Sequence, residues 1–324
     1  MKKRVLVTYN MFRAGYADLI EKFDVTFPPE GRESFTYEEV LDMIEDYEVL
    51  QSMFNFKVDE TLITKGKKLE LISNYAVGFD NIDVACATRH GIQVTNTPHS
   101  VTEPTADQAM GLIYAVSRRI AEMDRRIRIK GNVHVGLLEN LGHSLYGKTL
   151  GIIGMGRIGC ALARRAVACG MKIVYNKRTP MSQEEEAKYS AVYMSKDEVL
   201  KCADIVSLNA PYTPETFHII GEREFDLMKP EAILINTARG PLVDEKALVT
   251  ALKEGKIWAA GLDVFENGDY PSDELAALDN AVLNPHLGTQ TVETRNEMAF
   301  VVSQNIINFY EGGEVFKVNE VVSC

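Results

Sequence analysis

The stretch that most restricts this chain is residues 149–168, "TLGIIGMGRIGCALARRAVA". An apolar run runs into G-x-G-x-x-G and then into a helical pattern. The first glycine of such a loop permits a tight turn, the second lets backbone approach a pyrophosphate, and the third lets helix and strand pack closely. Amide N–H groups at the helix start favour an anion there. The pattern therefore predicts a dinucleotide-binding strand–turn–helix unit, with Gly154, Gly156, Arg157, Ile158 and Gly159 against the cofactor. A tight turn without a ligand is the competing reading. In the helix, Ile158, Leu162 and Ala166 recur at i, i+4 and i+8, and Cys169 extends the stripe. That face should pack on a sheet with Arg164 and Arg165 pointing away, and Gly170 should end the helix.

Similar apolar runs recur: "RVLVTY" (4–9), "LELIS" (69–73), "KIVYN" (172–176), "DIVSLN" (204–209), "AILINT" (232–237), "WAAGLDV" (258–264) and "AVLN" (281–284). Most lack polar alternation, as strands buried on both faces of a parallel sheet do. Helical patterns lie between them, so the class is α/β. A chain of 324 residues suggests two domains. Because the glycine loop lies mid-chain, roughly half of the sequence must form something else. The long helical region 103–127 could connect the two parts. No internal repeat or low-complexity segment is present.

The formal net charge is -11. A chain this acidic should repel nucleic acid and anionic membrane. The basic run "RRIRIK" (125–130) reads as solvated helix charge rather than a polyanion site. Five cysteines (86, 160, 169, 202, 324) show neither CxxC nor metal-ligand spacing, which suits a reducing cytoplasm and no bound metal. The N-terminal apolar stretch is too short for a signal segment, and no run is long enough to span a membrane.

The second strand of the dinucleotide unit ends in "MKIVYNKRTP" (171–180). An acid expected there would accept both adenosine ribose hydroxyls and repel a 2′-phosphate. The chain instead offers Asn176, Lys177, Arg178 and Thr179. Guanidinium and ammonium groups suit a phosphate, so NADP(H) is the preferred cofactor, with NAD(H) possible. Solvated loop charge is the alternative.

"NYAVGFDNIDV" (74–84), "INTARGPLVDEKAL" (235–248), "AAGLDVFENG" (259–268) and "NPHLG" (284–288), together with "GKTLGIIGMGRIG" (147–159), resemble the D-isomer-specific 2-hydroxyacid dehydrogenase family over essentially the whole chain. Within it the resemblance is greatest to NADPH-dependent glyoxylate/hydroxypyruvate reductases. The resemblance implies a Rossmann dinucleotide-binding domain and a flavodoxin-like substrate domain, both with parallel sheets and with the active-site cleft between them. Residues 1–100 and 288–324 would form the substrate domain and 101–287 the nucleotide domain. It also implies a homodimer, with 103–146 supplying much of the contact.

The reaction implied is reduction of a 2-oxoacid to a D-2-hydroxyacid by NAD(P)H. Arg239 matches the family's substrate arginine, a planar fork that can address carboxylate and keto oxygens together. The backbone N–H groups of Val77 and Gly78 match a second carboxylate contact. His286 matches the proton donor. Cofactor contacts extend to Pro211 and Thr216 in "LNAPYTPET", and to Thr237, Ala238, Asp263 and Gly288. Met53, Phe54 and Asn55 lie where the substrate loop approaches, and could line the side-chain pocket or be core beneath it. The family places a Glu five residues after the Asp of "GLDVF", paired with the catalytic histidine. Here that position is Gly268. Asp269 is the leading substitute, after a small loop shift; Glu266, or no acid, are the alternatives. Without a partner, ketone reduction should fall off at lower pH than in relatives. The other histidines match no catalytic motif.

The leading function is thus reduction of a small 2-oxoacid such as glyoxylate or hydroxypyruvate. Reduction of bulkier aromatic, branched or sugar-derived 2-oxoacids is an alternative. So is a non-catalytic NAD(P)-sensing protein, although intact Arg239 and His286 argue against it.

Overall fold

The computed structural model describes residues 2–130, 133–134 and 136–321. The chain divides into two compact units, Met1–Val101 with Gln290–Cys324, and Thr102–Thr289. Cys324, one of the five cysteines, lies outside the described residues.

The first unit is built on parallel strands β1 (Arg4–Val7), β2 (Asp24–Thr26), β3 (Val49–Met53), β4 (Leu71–Tyr75) and β5 (Gln93–Thr95), in the order 2-1-3-4-5. This is the flavodoxin-like order. Hydrophobic pattern alone missed β2, β3 and β5. In β3 the reason is visible: Gln51 and Ser52 are polar yet fully buried. Tyr16 Oη donates to Gln51 Oε1 (2.9 Å) and Gln51 Nε2 donates to Ser52 O (2.9 Å), so burial leaves these groups bonded. The helix Val292–Glu311 belongs to this unit. Ser73 Oγ in β4 donates to its Val302 carbonyl (3.3 Å). Gly15 lies so close to it that a Cβ would sit 2.6 Å from the Ala299 methyl. After the helix, Asn305 secures the returning chain, donating to Asn96 O and accepting from Phe316 N–H.

The second unit carries β6 (Thr149–Ile153), β7 (Lys172–Asn176), β8 (Ala191–Tyr193), β9 (Ile205–Leu208), β10 (Ile233–Asn236), β11 (Ala259–Leu262) and β12 (Ala281–Leu283). All pair in parallel, in the order 12-11-10-9-6-7-8. Separate apolar clusters pack within it, one around Leu208, Phe225 and Leu234, the other around Leu112, Ile152 and Leu162. Double-sided burial explains why β6, β7, β9, β10 and β11 read as continuous apolar runs, while β8, at the sheet edge and mostly exposed, gave no such run. The strand order reverses between β6 and β9, so the glycine loop sits at the switch point, where open α/β sheets bind ligands.

One expectation is refined and one needs correction. The helical region 103–127 consists of two helices, Thr102–Ser117 and Ile120–Lys130. Arg119 takes a left-handed conformation (φ 56°), and His143 N–H caps the free Ser117 carbonyl at 2.7 Å. In the helix Arg157–Ala168, Leu162 and Ala166 are fully buried and Arg164 is exposed, as expected. Arg165, however, is mostly buried between Asp107 (2.7 Å) and Glu103 (2.8 Å). The basic run at 125–130 is ion-paired locally: Arg125 with Asp279, Arg126 with Glu122, and Arg128 with Asp124. Among the described residues no helix is long and apolar enough to cross a membrane.

Candidate active site

In the second unit the three loop glycines occupy three different environments. Gly154 has φ +97°, and a Cβ there would lie 2.4 Å from Ala210 N, so only glycine fits the turn. Gly159 packs the helix on the strand, its position for a Cβ being 2.8 Å from Gly154 O. At Gly156 a Cβ would meet nothing within 4 Å. Its glycine is therefore not demanded by packing, and open space lies against the start of helix Arg157–Ala168. Arg157 is exposed and Ile158 half-buried at that helix start. Thr237 Oγ1 and Asn209 Oδ1, just past β10 and β9, are buried without a partner among the described residues. Open space at Gly156 and partnerless oxygens at two neighbouring strand ends fit a bound dinucleotide.

At the end of β7, Asn176 Nδ2 donates to Met194 O (2.8 Å), and Asn176 O accepts from Gly154 N–H (2.8 Å). The asparagine braces the loop. Lys177 is half-buried, while Arg178 and Thr179 are exposed. Glu215 has its carboxyl held below the usual range, chiefly by the Thr213 hydroxyl and also by the Arg178 charge. Thr216 Oγ1 donates to Pro211 O (2.9 Å) and accepts from Thr213 N–H (2.7 Å), so its oxygen shapes the 211–216 turn.

The 236–240 and 263–288 segments interlock. Asn236 holds its own turn, with Oδ1 accepting from Ala238 N–H and Nδ2 donating to Arg239 O. Arg239 Nη1 donates to Ala238 O at 2.8 Å. A Cβ at Gly240 would lie 1.8 Å from Phe265 O, so the two segments touch backbone to backbone. Asp263 then fixes the histidine. Its main-chain oxygen accepts from His286 N–H (2.9 Å), and its carboxylate accepts from Leu287 N–H (2.7 Å) and Gly288 N–H (2.9 Å). Three consecutive N–H groups thus converge on one residue. Burial pushes the Asp263 carboxyl up, and the two N–H donors pull against that. His286 itself sits at φ 57°, a strained conformation for a bulky residue and one that clusters at functional sites. Asp263 was expected to touch the cofactor; the clamp on residues 286–288 was not legible from sequence spacing.

Of the two acids near Gly268, Glu266 is committed elsewhere. Its Oε1 lies 2.5 Å from His218 Nε2, and its Oε2 accepts from Glu245 N–H at 2.9 Å. His218, which matched no motif, therefore anchors this loop. Asp269 is exposed and makes no hydrogen bond or ion pair among the described residues. Gly268 beside it has φ +122°.

In the first unit, β4 ends at Tyr75 and leads to Val77 and Gly78. Asn96 Nδ2 donates to Val77 O and Asn74 Nδ2 to Gly78 O, both at 2.8 Å. Neither the Val77 nor the Gly78 N–H has an acceptor among the described residues. Phe54 and Asn55 line a cavity of about 460 Å³, and Met53 lies at its wall, itself 5% exposed. Met53 is thus buried beneath the cavity that Phe54 and Asn55 border.

Residues 110–288 match the D-isomer specific 2-hydroxyacid dehydrogenase, NAD binding domain. A glyoxylate reductase of Thermococcus litoralis is 46% identical over 323 residues, covering 96% of this chain and 95% of that protein. The crystal structure of a glyoxylate reductase from Paecilomyes thermophila superposes with a TM-score of 0.87 at 36% identity, covering 98% of each chain. That of an NADPH-dependent glyoxylate/hydroxypyruvate reductase from Sinorhizobium meliloti, in complex with NADP and malonate, gives 0.83 at 32% identity, covering 98% of this chain and 96% of the other.

Proposed function

The chain belongs to the D-isomer-specific 2-hydroxyacid dehydrogenase family, and we propose that it reduces glyoxylate, hydroxypyruvate or a similar small 2-oxoacid to the D-2-hydroxyacid, with NADPH as preferred cofactor. It is an NAD(P)-dependent enzyme. The observation that carries the catalytic reading is the Asp263 clamp, whose carbonyl accepts from His286 N–H and whose buried carboxylate accepts from the next two N–H groups, beside a strained His286 backbone.

When bound, the dinucleotide supplies the hydride. The pyrophosphate would rest at Gly154, Gly156, Arg157 and Ile158, with Gly159 keeping the helix close. Pro211, Thr216, Thr237, Ala238, Asp263 and Gly288 would line the remaining cofactor surface. Asn176, Lys177, Arg178 and Thr179 would surround the adenosine ribose, the two cations attracting a 2′-phosphate. Arg239 would hold the substrate's carboxylate and keto oxygen, and the N–H groups of Val77 and Gly78 would take the carboxylate as well. His286 would donate the proton to the oxygen that becomes the alcohol. Asp269 would orient that imidazole once the turn at Gly268 moves, since a carboxylate beside it favours the charged ring. A homodimer through 103–146 is supported by the exposed apolar side chains there, among them Leu137 (93% exposed), Leu138 (80%) and Tyr146 (82%).

The test is steady-state reduction of glyoxylate, hydroxypyruvate, pyruvate and phenylpyruvate with NADPH and NADH in parallel. The expected result is a tenfold or larger advantage for NADPH, about 1.4 kcal/mol. An NADH advantage would defeat the phosphate-site reading, and no turnover with either cofactor would leave a nucleotide sensor.

A further inference from the structure

The cavity of about 460 Å³ in the first unit is larger than glyoxylate needs. It opens at the carboxyl ends of β1, β3 and β4, where parallel sheets place ligands. Met11, Phe12, Phe54 and Tyr75 supply apolar wall. Tyr75 precedes Val77 by two residues, roughly 7 Å of extended chain. A 2-oxoacid held by the Val77 and Gly78 N–H groups would thus have this cavity within reach of its side chain.

One formal charge lines the cavity, that of Arg295, and no acidic residue does. Among the described residues Arg295 has no carboxylate partner, in a chain of net charge -11. Its Nε donates to Gln290 Oε1 (3.1 Å), its guanidinium lies 5.7 Å from the Tyr75 ring centre, and Tyr75 Oη donates to its carbonyl (2.7 Å). The guanidinium also lies against the Tyr75 hydroxyl, so its side-chain neighbours are neutral and no carboxylate meets its Nη groups among the described residues. Arg295 also stands in the first turn of helix Val292–Glu311, the end where the helix dipole disfavours a cation. Helix stability therefore does not account for it. Most other polar groups of the wall are spent: the Asn10 amide donates to Arg32 O (2.6 Å) and Pro28 O (3.1 Å), and the Gln290 oxygen is taken by Arg295. The Asn55 amide makes no hydrogen bond among the described residues and offers a second donor.

We propose that this cavity is a side-chain subsite for 2-oxoacids carrying a second carboxylate two or three carbons beyond the keto carbon, and that Arg295 selects them. The inference rests on the reductase reading above, and the same hydride and proton addition applies to these substrates. An aromatic side chain would fill the apolar wall but strip water from the Nη groups without replacing it, which is unfavourable. A distal carboxylate satisfies them with charge-assisted bonds.

The test compares 2-oxoglutarate with 2-oxopentanoate, of equal chain length but without the distal carboxylate, in the full-length protein and in Arg295→Met and Arg295→Lys, each first checked for native thermal unfolding. Both kcat/KM and calorimetric Kd in the presence of oxidised cofactor are read. The wild type should favour 2-oxoglutarate by about 30-fold or more, Arg295→Met should erase most of that ratio through KM and Kd, and Arg295→Lys should keep part of it. Equal handling of the two acids by the wild type, or an unchanged ratio in Arg295→Met, overturns the proposal. Binding preference that depends on Arg295 without turnover of either acid would uphold the subsite and refute the reductase reading.

Discussion

Replacing Gly156 with alanine separates a cofactor cradle from an ordinary turn. Gly156 has φ -94° and ψ -159°, a conformation alanine adopts without strain, and an added Cβ meets no protein atom within 4 Å. Alanine is a poorer N-cap than glycine, a loss of order 0.5–1 kcal/mol. Reduced freedom of the unfolded chain returns about 0.4–1 kcal/mol. Stability should therefore change by less than about 0.5 kcal/mol, which is under ~2 °C in unfolding temperature for a unit of this size. The cofactor should respond differently. A diphosphate oxygen accepting from these N–H groups lies about 2.9 Å from nitrogen, and a methyl on Gly156 would occupy its approach. Forced displacement of one or two charge-assisted bonds, about 1.5–3 kcal/mol, weakens binding roughly 10- to 100-fold. Thermal unfolding without cofactor, together with calorimetric Kd for NADPH, reads both quantities. Gly154→Ala is the contrast: its Cβ would lie 2.4 Å from Ala210 N at φ +97°, so stability and binding should fall together. An unchanged Kd in Gly156→Ala would refute the assignment of this loop to the pyrophosphate.

His286→Ala should lose about 10²- to 10⁴-fold in kcat and keep NADPH Kd within about twofold, read by stopped assays and calorimetry. Asp263→Asn leaves one of the Leu287 and Gly288 N–H groups facing an amide, and kcat should drop by roughly 10- to 100-fold from misplacement of His286. Burial raises the folded-state pKa of Asp263, so its stability contribution is full below the ordinary aspartate range and declines as pH rises through the raised value. The unfolding-temperature advantage of wild type over Asp263→Asn should accordingly be larger near pH 4 than near pH 7; an opposite trend would contradict the burial argument. Arg178→Ala should weaken NADPH binding about tenfold and leave NADH nearly unchanged, whereas equal losses would remove Arg178 from the phosphate site.

What sequence could show followed from how each feature is encoded. Strands β6, β7, β9, β10 and β11 are buried on both faces, and their continuous apolar runs announced them. Strand β3 was hidden because polar Gln51 and Ser52 are buried within it, Gln51 through a hydrogen bond from the distant Tyr16 hydroxyl, which no local pattern records. The glycine loop was legible because Gly154 and Gly159 answer backbone requirements of the fold and the spacing of the three is fixed by the turn. The break at Arg119 was not, since the Ser117 carbonyl finds its donor in His143, far along the chain. The same holds near the histidine. Gly268 could be seen as a departure, but the pairing of Glu266 with His218 spans 48 residues and has no sequence signature. The Asp263 clamp became readable only when the residue's side chain and carbonyl were seen to meet three successive N–H groups.

The most direct test of the catalytic account combines turnover with stereochemistry. Hydroxypyruvate and NADPH are incubated with wild type and with His286→Ala, oxidation is followed optically, and the glycerate formed is resolved on a chiral column. Wild type should consume one NADPH per D-glycerate, with no L-glycerate, and His286→Ala should form product at least about 100-fold more slowly. L-glycerate from the wild type, or undiminished turnover in the variant, would contradict the placement of His286 as the proton donor of a D-specific reductase.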